Sequence, residues 1–400
     1  MIARFLTALA LAGVIGCHTV APREFEGMSP YRWSRLMADS EIARRGDSLA
    51  WKEGGKAKWD YTAGLFTLSL LKLDAPRYRG YVETVIGSFV MPDGNIRTYK
   101  PEEYQLDHIN PGKTVLALYQ LTHEERYRKA AGILRRQLDT QPRTSDGGFW
   151  HKQRYPSQMW LDGLYMAAPF EAEYAKMFHQ PADFDEVAKQ IRLMSEHSYD
   201  PVSGLFYHGW DESKQQEWTN KKTGTSPCFW GRAIGWYAMA LVDVLDYFPE
   251  DHPARPEIIA TLQKLCAGII QYQEAESGLW YQVVDQGGRQ GNYLEATVSC
   301  MFVYTMAKGV NRGYLPREYL PVIAKGYTGI LTKLVRRDGD RITLTQCCSV
   351  AGLGYGRDGT YNYYLREPVV DNDLKGVGPF ILAGIEIQRL PMLAVSQNPH

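Results

Sequence analysis

Four hundred residues, 44 % of them hydrophobic, can build one large toroid or roughly two to three average domains around a substantial apolar core. The 45 basic and 45 acidic residues cancel, so no global field gathers nucleic acid or an anionic surface, and no nucleic-acid partner is expected. Instead, 26 Tyr and 10 Trp supply flat amphipathic faces that stack on sugar rings while offering an O–H or N–H, which makes carbohydrate the favoured ligand class.

The chain opens as an exported one. Arg4 supplies a positive region, residues 5–16 (FLTALALAGVIG) are apolar, and Val14-Ile15-Gly16-Cys17 resembles a bacterial lipobox. Residues 1–16 therefore read as a lipoprotein signal peptide, Cys17 as the lipidated first residue of the mature chain, 17–27 as its leader, 28–392 as the folded domain and 393–400 as a tail. The apolar run is too short to span a bilayer. Acyl chains on Cys17 would tether the domain to a bacterial membrane, with the periplasmic side expected. No later segment reads as transmembrane.

Six apolar helical segments follow, opened in turn by Tyr61 with Gly64, Asp107 with Gly112, Asp162 with Gly163, Arg232 with Gly235, Glu295, and Gly376-Val377-Gly378. Between them, 124–138, 184–197, 255–272 and 317–335 carry apolar residues at three- and four-residue spacing, the pattern of half-buried outer helices. Loops rich in Gly, Asp and aromatic residues separate the pairs at 91–105, 141–158, 199–228 and 346–373. With no strand-period stretch of any length, the apolar helices need shielding by the amphipathic ones. An inner ring within an outer ring achieves this, an all-α (α/α)6 barrel whose inner-helix starts converge on one mouth. The irregular spacing disfavours a stacked superhelix.

Within MWLDGLYMAAPF (159–170), the lone carboxylate Asp162 interrupts an apolar, aromatic stretch. Desolvation disfavours the charged form of a carboxylic acid, the condition that a general acid working near neutral pH requires. Taken alone, Asp162 reads equally well as the cap of a helix beginning at Gly163. Beyond Cys17 stand Cys228, Cys266, Cys300, Cys347 and Cys348, an odd number without C-x-x-C spacing, so no disulfide framework is expected. Cys266 and Cys300 fall in apolar helical patterns as small core hydrophobes; the adjacent Cys347 and Cys348 have no role derivable from the pattern. The nine histidines form no ligand-spaced cluster, and neither a catalytic metal nor another cofactor is expected.

Six segments, WDYTAG (59–64), QLDHINPGK (105–113), GGFWHKQRYPSQMWLDGLYM (147–166), GLFYHGWD (204–211), FWGRAIGWYAMALVDVL (229–245) and GLWYQVVDQ (278–286), together resemble glycoside hydrolase family 105 over roughly residues 28–392. Their order and spacing carry the likeness. The resemblance implies a six-hairpin (α/α)6 catalytic domain and the activity of an unsaturated uronyl hydrolase, best known as unsaturated rhamnogalacturonyl hydrolases, with family 88 a neighbour of similar chemistry. It implies Asp162 as the catalytic acid/base and Asp107 as the second pocket carboxylate. Tyr61, His151, Trp160, His208, Trp230, Arg232 and Trp236 would surround the unsaturated sugar.

Trp230, ahead of its helix, is the expected stacking platform, Trp236 both core and wall, and the planar fork of Arg232 the candidate contact for the uronate. Asp107 otherwise reads as a helix cap, and His151 and His208 as packing residues. Glu295 reads as a structural hydrogen-bonding group in preference to a third acid.

Polysaccharide lyases leave a 4,5-double bond in the terminal uronic acid, an enol ether that acid attacks. The resemblance implies protonation of C4 by Asp162 and hydration at C5, with Asp107 favouring the protonated acid by like-charge coupling. The aromatic loops at 141–160 and 204–236 are expected to close around a terminal sugar. Rhamnogalacturonan is the default source, with ulvan and arabinogalactan as other sources of unsaturated units. Two other readings are a conventional inverting exo-glycosidase using Asp162 with Asp107 or Glu295, and a glycan-binding surface lipoprotein. An open aromatic face would mark the binding protein, and two acids aimed into one closed cavity the enzyme.

Overall fold

A computed structural model describes residues 24–47, 49 and 57–390 of the chain. The expected signal peptide at 1–16, Cys17 and the expected tail at 393–400 lie outside the described residues.

Outer and inner helices alternate. The outer helices are α1 (Pro30–Arg45), α3 (Pro76–Gly87), α5 (Glu125–Asp139), α7 (Ala182–Ser198), α9 (Arg255–Ile269) and α11 (Leu320–Gly329). The inner ones are α2 (Tyr61–Lys72), α4 (Gly112–Thr122), α6 (Leu161–Phe178), α8 (Gly231–Val244), α10 (Ala296–Asn311) and α13 (Leu374–Arg389), with a short α12 (Tyr361–Arg366) before the last. In the inner ring α2 packs on α4, α4 on α6, α6 on α8, α8 on α10, α10 on α13, and α13 back on α2. Each inner helix also has an outer partner, and that of α13 is α1, from the other end of the chain. The expected (α/α)6 barrel is therefore formed, and it is closed.

Burial follows the sequence pattern. Every residue of α8 is buried, as a helix that is apolar all round requires, whereas α5 buries one stripe, Tyr127, Ala130, Ala131, Leu134, Gln137 and Leu138. Polar groups on inner helices are matched inside the ring: Lys308 on α10 donates to Asp243 on α8 at 2.6 Å.

Strands are few but they matter. β1 (Gln158–Trp160) pairs antiparallel with β2 (Gly209–Asp211), β3 (Val335–Asp338) with β4 (Arg341–Leu344), and β5 (Cys347–Cys348) with β6 (Val369–Val370). The helix expected over 317–335 instead ends in a π turn at Ile330–Leu334 and runs into the β3–β4 hairpin. A two-residue Gly339-Asp340 turn, with Gly339 at φ 58°, explains the change of course, since such turns match the twist of a hairpin.

Candidate active site

Three backbone hydrogen bonds gather the site from distant parts of the chain. Leu106 N–H donates to His151 O at 3.1 Å, His151 N–H to Gln158 O at 2.9 Å, and Leu161 N–H to His208 O at 3.0 Å. Asp107, His151, Asp162 and His208 each lie at or beside one of these bonds. The β1–β2 register, Trp160 opposite Gly209, continues the last of them. A Cβ at Gly209 would meet Trp160 Cδ1 at 3.0 Å, so glycine there lets the two segments close up.

The result is a cavity of about 260 Å³ lined by Asp107, Asp162, Tyr61, His151 and Trp160 among others. Asp162 is the second residue of α6, whose N-cap is Trp160 and which starts at Leu161, two residues before the expected Gly163; no side chain caps it. Its carboxylate is therefore not spent on the helix start. Asp60 also lines the cavity, but it accepts from Thr62 N–H at 2.8 Å as the cap of α2.

The two site carboxylates have different neighbours. Asp107 sits on a 3-10 turn, Leu106–His108; its Oδ2 accepts from Lys152 Nζ at 2.6 Å, and Oδ1 lies 3.5 Å from His151 Nε2. Burial alone would raise the Asp107 carboxyl, but the Lys152 ammonium and His151 outweigh it and hold the group below its usual range. Asp107 is thus an ionised group whose charge Lys152 compensates, which weakens the expected like-charge coupling to Asp162. Burial pushes His151 down to about 4, so it is a neutral imidazole at neutral pH, stacked on Trp160 with ring centres 4.5 Å apart.

Asp162 has a different companion. Its Oδ2 lies 3.2 Å from His208 Nε2, and neither atom has a hydrogen-bond partner. His208 is fully buried, and its Nδ1 is 2.7 Å from the Tyr364 hydroxyl. Burial raises the Tyr364 phenol well above its ordinary range, so it keeps its proton. We assign that proton as donated to Nδ1, which leaves Nε2–H facing Asp162.

Three expected contacts are elsewhere. Trp230, Arg232 and Trp236 are buried and do not line the cavity. The Trp230 ring stacks on Tyr364 at 5.5 Å, with the Arg232 guanidinium 4.5 Å from the Trp230 ring centre, so this tryptophan is packed under the site and offers no platform to a sugar. Arg232 donates to the carbonyl of Cys348, and the Cys348 N–H donates to Glu295 Oε1 at 2.7 Å. The segment with the adjacent cysteines thereby ties α8 to α10 through Arg232, whose Nε has no hydrogen-bond partner. Glu295 also accepts from Val298 N–H at 2.6 Å as the cap of α10, the structural role expected of it. Trp236 stacks on Tyr165 at 4.9 Å and meets Tyr61 edge-on at 6.1 Å, which makes it a support under the wall.

Other groups line the cavity that the sequence reading did not select. Lys58, Lys152, Arg154 and Arg357 are its cations. Two of them stand in HKQRY (151–155), directly after a selected histidine, and basic residues among aromatics in a loop were the available signal. Val350, Ala351 and Arg357 form a wall that the 204–236 segment was expected to supply. That segment lies behind, where His208 reaches Asp162.

A closed ring of six helix pairs, with Asp107 and Asp162 beside the capping Asp60 in one cationic, aromatic cavity, is the build of a toroidal glycosidase. Residues 33–391 match the family model described as Glycosyl Hydrolase Family 88. The structure of a glycoside hydrolase from family 105 of C. acetobutylicum is 42 % identical, with a TM-score of 0.86, covering 90 % of this chain and 100 % of that one. Protein Atu3128 of Agrobacterium fabrum is 39 % identical over 230 residues, 55 % of this chain and 97 % of that protein. The unsaturated rhamnogalacturonyl hydrolase YesR of Bacillus subtilis is 28 % identical over 200 residues, 48 % of this chain and 55 % of that protein. The chain belongs to glycoside hydrolase family 105, within the reach of the family 88 model, and is a glycoside hydrolase.

Proposed function

We propose that this enzyme removes a terminal 4,5-unsaturated uronic acid from lyase-generated oligosaccharides, with rhamnogalacturonan fragments as the default substrate. The observation that carries the reading is the pairing of Asp107 and Asp162 in one cavity with unlike neighbours, Lys152 for the first and a buried histidine for the second. Lys152 keeps Asp107 in a charged role, which leaves the acid/base role to Asp162. The name of the B. subtilis relative supports the same substrate class.

In this reading Asp162 donates its proton to C4. Water adds to C5, where the ring oxygen stabilises the developing cation, and the Asp162 carboxylate takes the proton that the water releases. The resulting hemiketal opens to a C5 ketone, and the hemiacetal left at C1 collapses to an aldehyde and expels the neighbouring sugar. Asp107, held ionised by Lys152, accepts hydrogen bonds from the water or from sugar hydroxyls. The inner-cavity cations Lys152 and Arg357 meet the carboxylate of the terminal sugar.

Incubation with lyase-digested rhamnogalacturonan is expected to abolish the ultraviolet absorbance of the enol ether and to release rhamnose. Turnover of the corresponding saturated oligosaccharide, with the unsaturated absorbance persisting, would favour a conventional inverting glycosidase instead. The lipobox supports a periplasmic, membrane-tethered enzyme that meets short oligosaccharides. A Cys17→Ser variant is expected to leave the membrane fraction; its retention there would count against the anchor.

A further inference from the structure

The cavity that holds Asp107 and Asp162 adjoins a larger one of about 570 Å³, and Lys58, Gln105, Lys152 and Arg154 line both. Cavities of roughly 300–1,000 Å³ enclose a drug-sized ligand, so the outer one has room for sugars beyond the bond that is cut. At the boundary stands Arg154. Its exposed guanidinium donates to the Tyr155 hydroxyl at 2.9 Å and lies 4.9 Å from the Tyr155 ring and 5.8 Å from the Tyr355 ring. Among the described residues no carboxylate forms an ion pair with it.

Tyr355 is 75 % exposed and, although it lines neither cavity, its ring is held beside Arg154, which lines both. Gly354, Tyr355 and Gly356 have φ of 79°, 56° and 79°, and the Tyr355 hydroxyl donates to Arg154 O at 2.8 Å. A left-handed tyrosine costs backbone energy, and such strain concentrates at ligand clamps. The acids of the outer cavity, Glu102 and Glu103, do not line the inner one, and Glu103 faces Lys100 at 3.5 Å.

We propose that Arg154 and Tyr355 form an outer subsite for a second anionic sugar, the next uronate along a chain in which uronates alternate with neutral sugars. The inference rests on the function proposed above and adds to it a preference for oligosaccharides longer than the disaccharide. The ring of Tyr355 stacks on the sugar face while Arg154 takes the carboxylate.

Calorimetric titration of the Asp162→Asn protein with unsaturated di- and tetrasaccharides tests this without turnover. The tetrasaccharide is expected to bind about tenfold more tightly at low salt, as one charge-assisted hydrogen-bonded contact provides. Salt should shrink that advantage. Adding Arg154→Gln should reduce it below twofold, as should chemical reduction of the second carboxyl group, and Tyr355→Ala should reduce it without changing disaccharide affinity. Equal affinities for the two oligosaccharides, or an advantage that survives Arg154→Gln, would overturn the subsite alone. Failure of both oligosaccharides to bind would remove the functional reading and the subsite with it.

Discussion

Asp107 and Asp162 line the same small cavity, and their neighbours divide the work between them. Lys152 holds Asp107 ionised against the effect of burial. In Lys152→Met that compensation is gone, and burial then raises the Asp107 carboxyl. If activity requires ionised Asp107, the acid limb of the pH–rate profile moves to higher pH; a limb that stays in place would show that Asp107 has no ionised role. Tyr364→Phe removes the hydroxyl from His208 Nδ1 while keeping the ring stacked on Trp230. The loss of one hydrogen bond that orients the imidazole is expected to lower kcat roughly tenfold with little change in KM, while the buried Nδ1 left unpaired lowers Tm slightly. A fall in Tm without a change in kcat would make that contact structural.

At this scale, positions along the backbone were legible in the chain. Asp107, Tyr61, His151, Trp160 and Asp162 all reach the cavity. Depth was not legible: Trp230 and Arg232 lie one layer below the surface that the motif pattern suggested, because tertiary stacking with Tyr364 and the Cys348 carbonyl decides it.

Among the elements, close approaches set the geometry of the mouth. Gly64, in the first turn of α2, faces the chain entering α4, where an added Cβ would lie 2.6 Å from Pro111 Cα and 2.8 Å from Pro111 N. Those are backbone atoms that cannot swing aside. Gly64→Ala is expected to cost about 1–3 kcal/mol by overpacking. Because Pro111 follows the Asp107 turn, kcat/KM should fall as well; urea unfolding and kinetics on the same preparation check both effects, and wild-type values for both would refute the packing argument.

The inner helices were legible as long apolar runs, and α5 and α7 because their stripes recur at helical spacing. Other elements were less legible. α1 is not marked by the apolar pattern, although Ser29 and Pro30 mark its start, because its partner α13 lies at the far end of the chain. The β3–β4 hairpin, which follows the helix expected over 317–335, is not marked in the sequence because its Arg- and Asp-rich stretch carries no clear alternation before the Gly339 turn.

For the whole molecule, ring closure joins α1 to α13 and α13 to α2, so both chain ends contribute to one cooperative barrel. Its interior also holds charges that set a pH response. Burial pushes Glu171 from an ordinary 4.5 up to about 8, and Arg135, 3.7 Å away, is already engaged by Asp183 and Asp139. The folded state therefore keeps a proton that the unfolded chain releases between those values, and stability falls as pH rises through that window. Glu171→Gln is expected to raise Tm relative to the wild type above about pH 8, with the difference vanishing near pH 4. A constant difference across that range would place the effect in packing.

The assignment of the acid is tested most directly by one rate comparison, the loss of enol-ether absorbance catalysed by wild type and by Asp162→Asn on unsaturated rhamnogalacturonan disaccharide. A general acid contributes roughly 10²- to 10⁴-fold. A fall of that size with unchanged Tm is the expected result. Retention of the wild-type rate within a few-fold would contradict the role of Asp162 and return the search to Asp107 and its lysine.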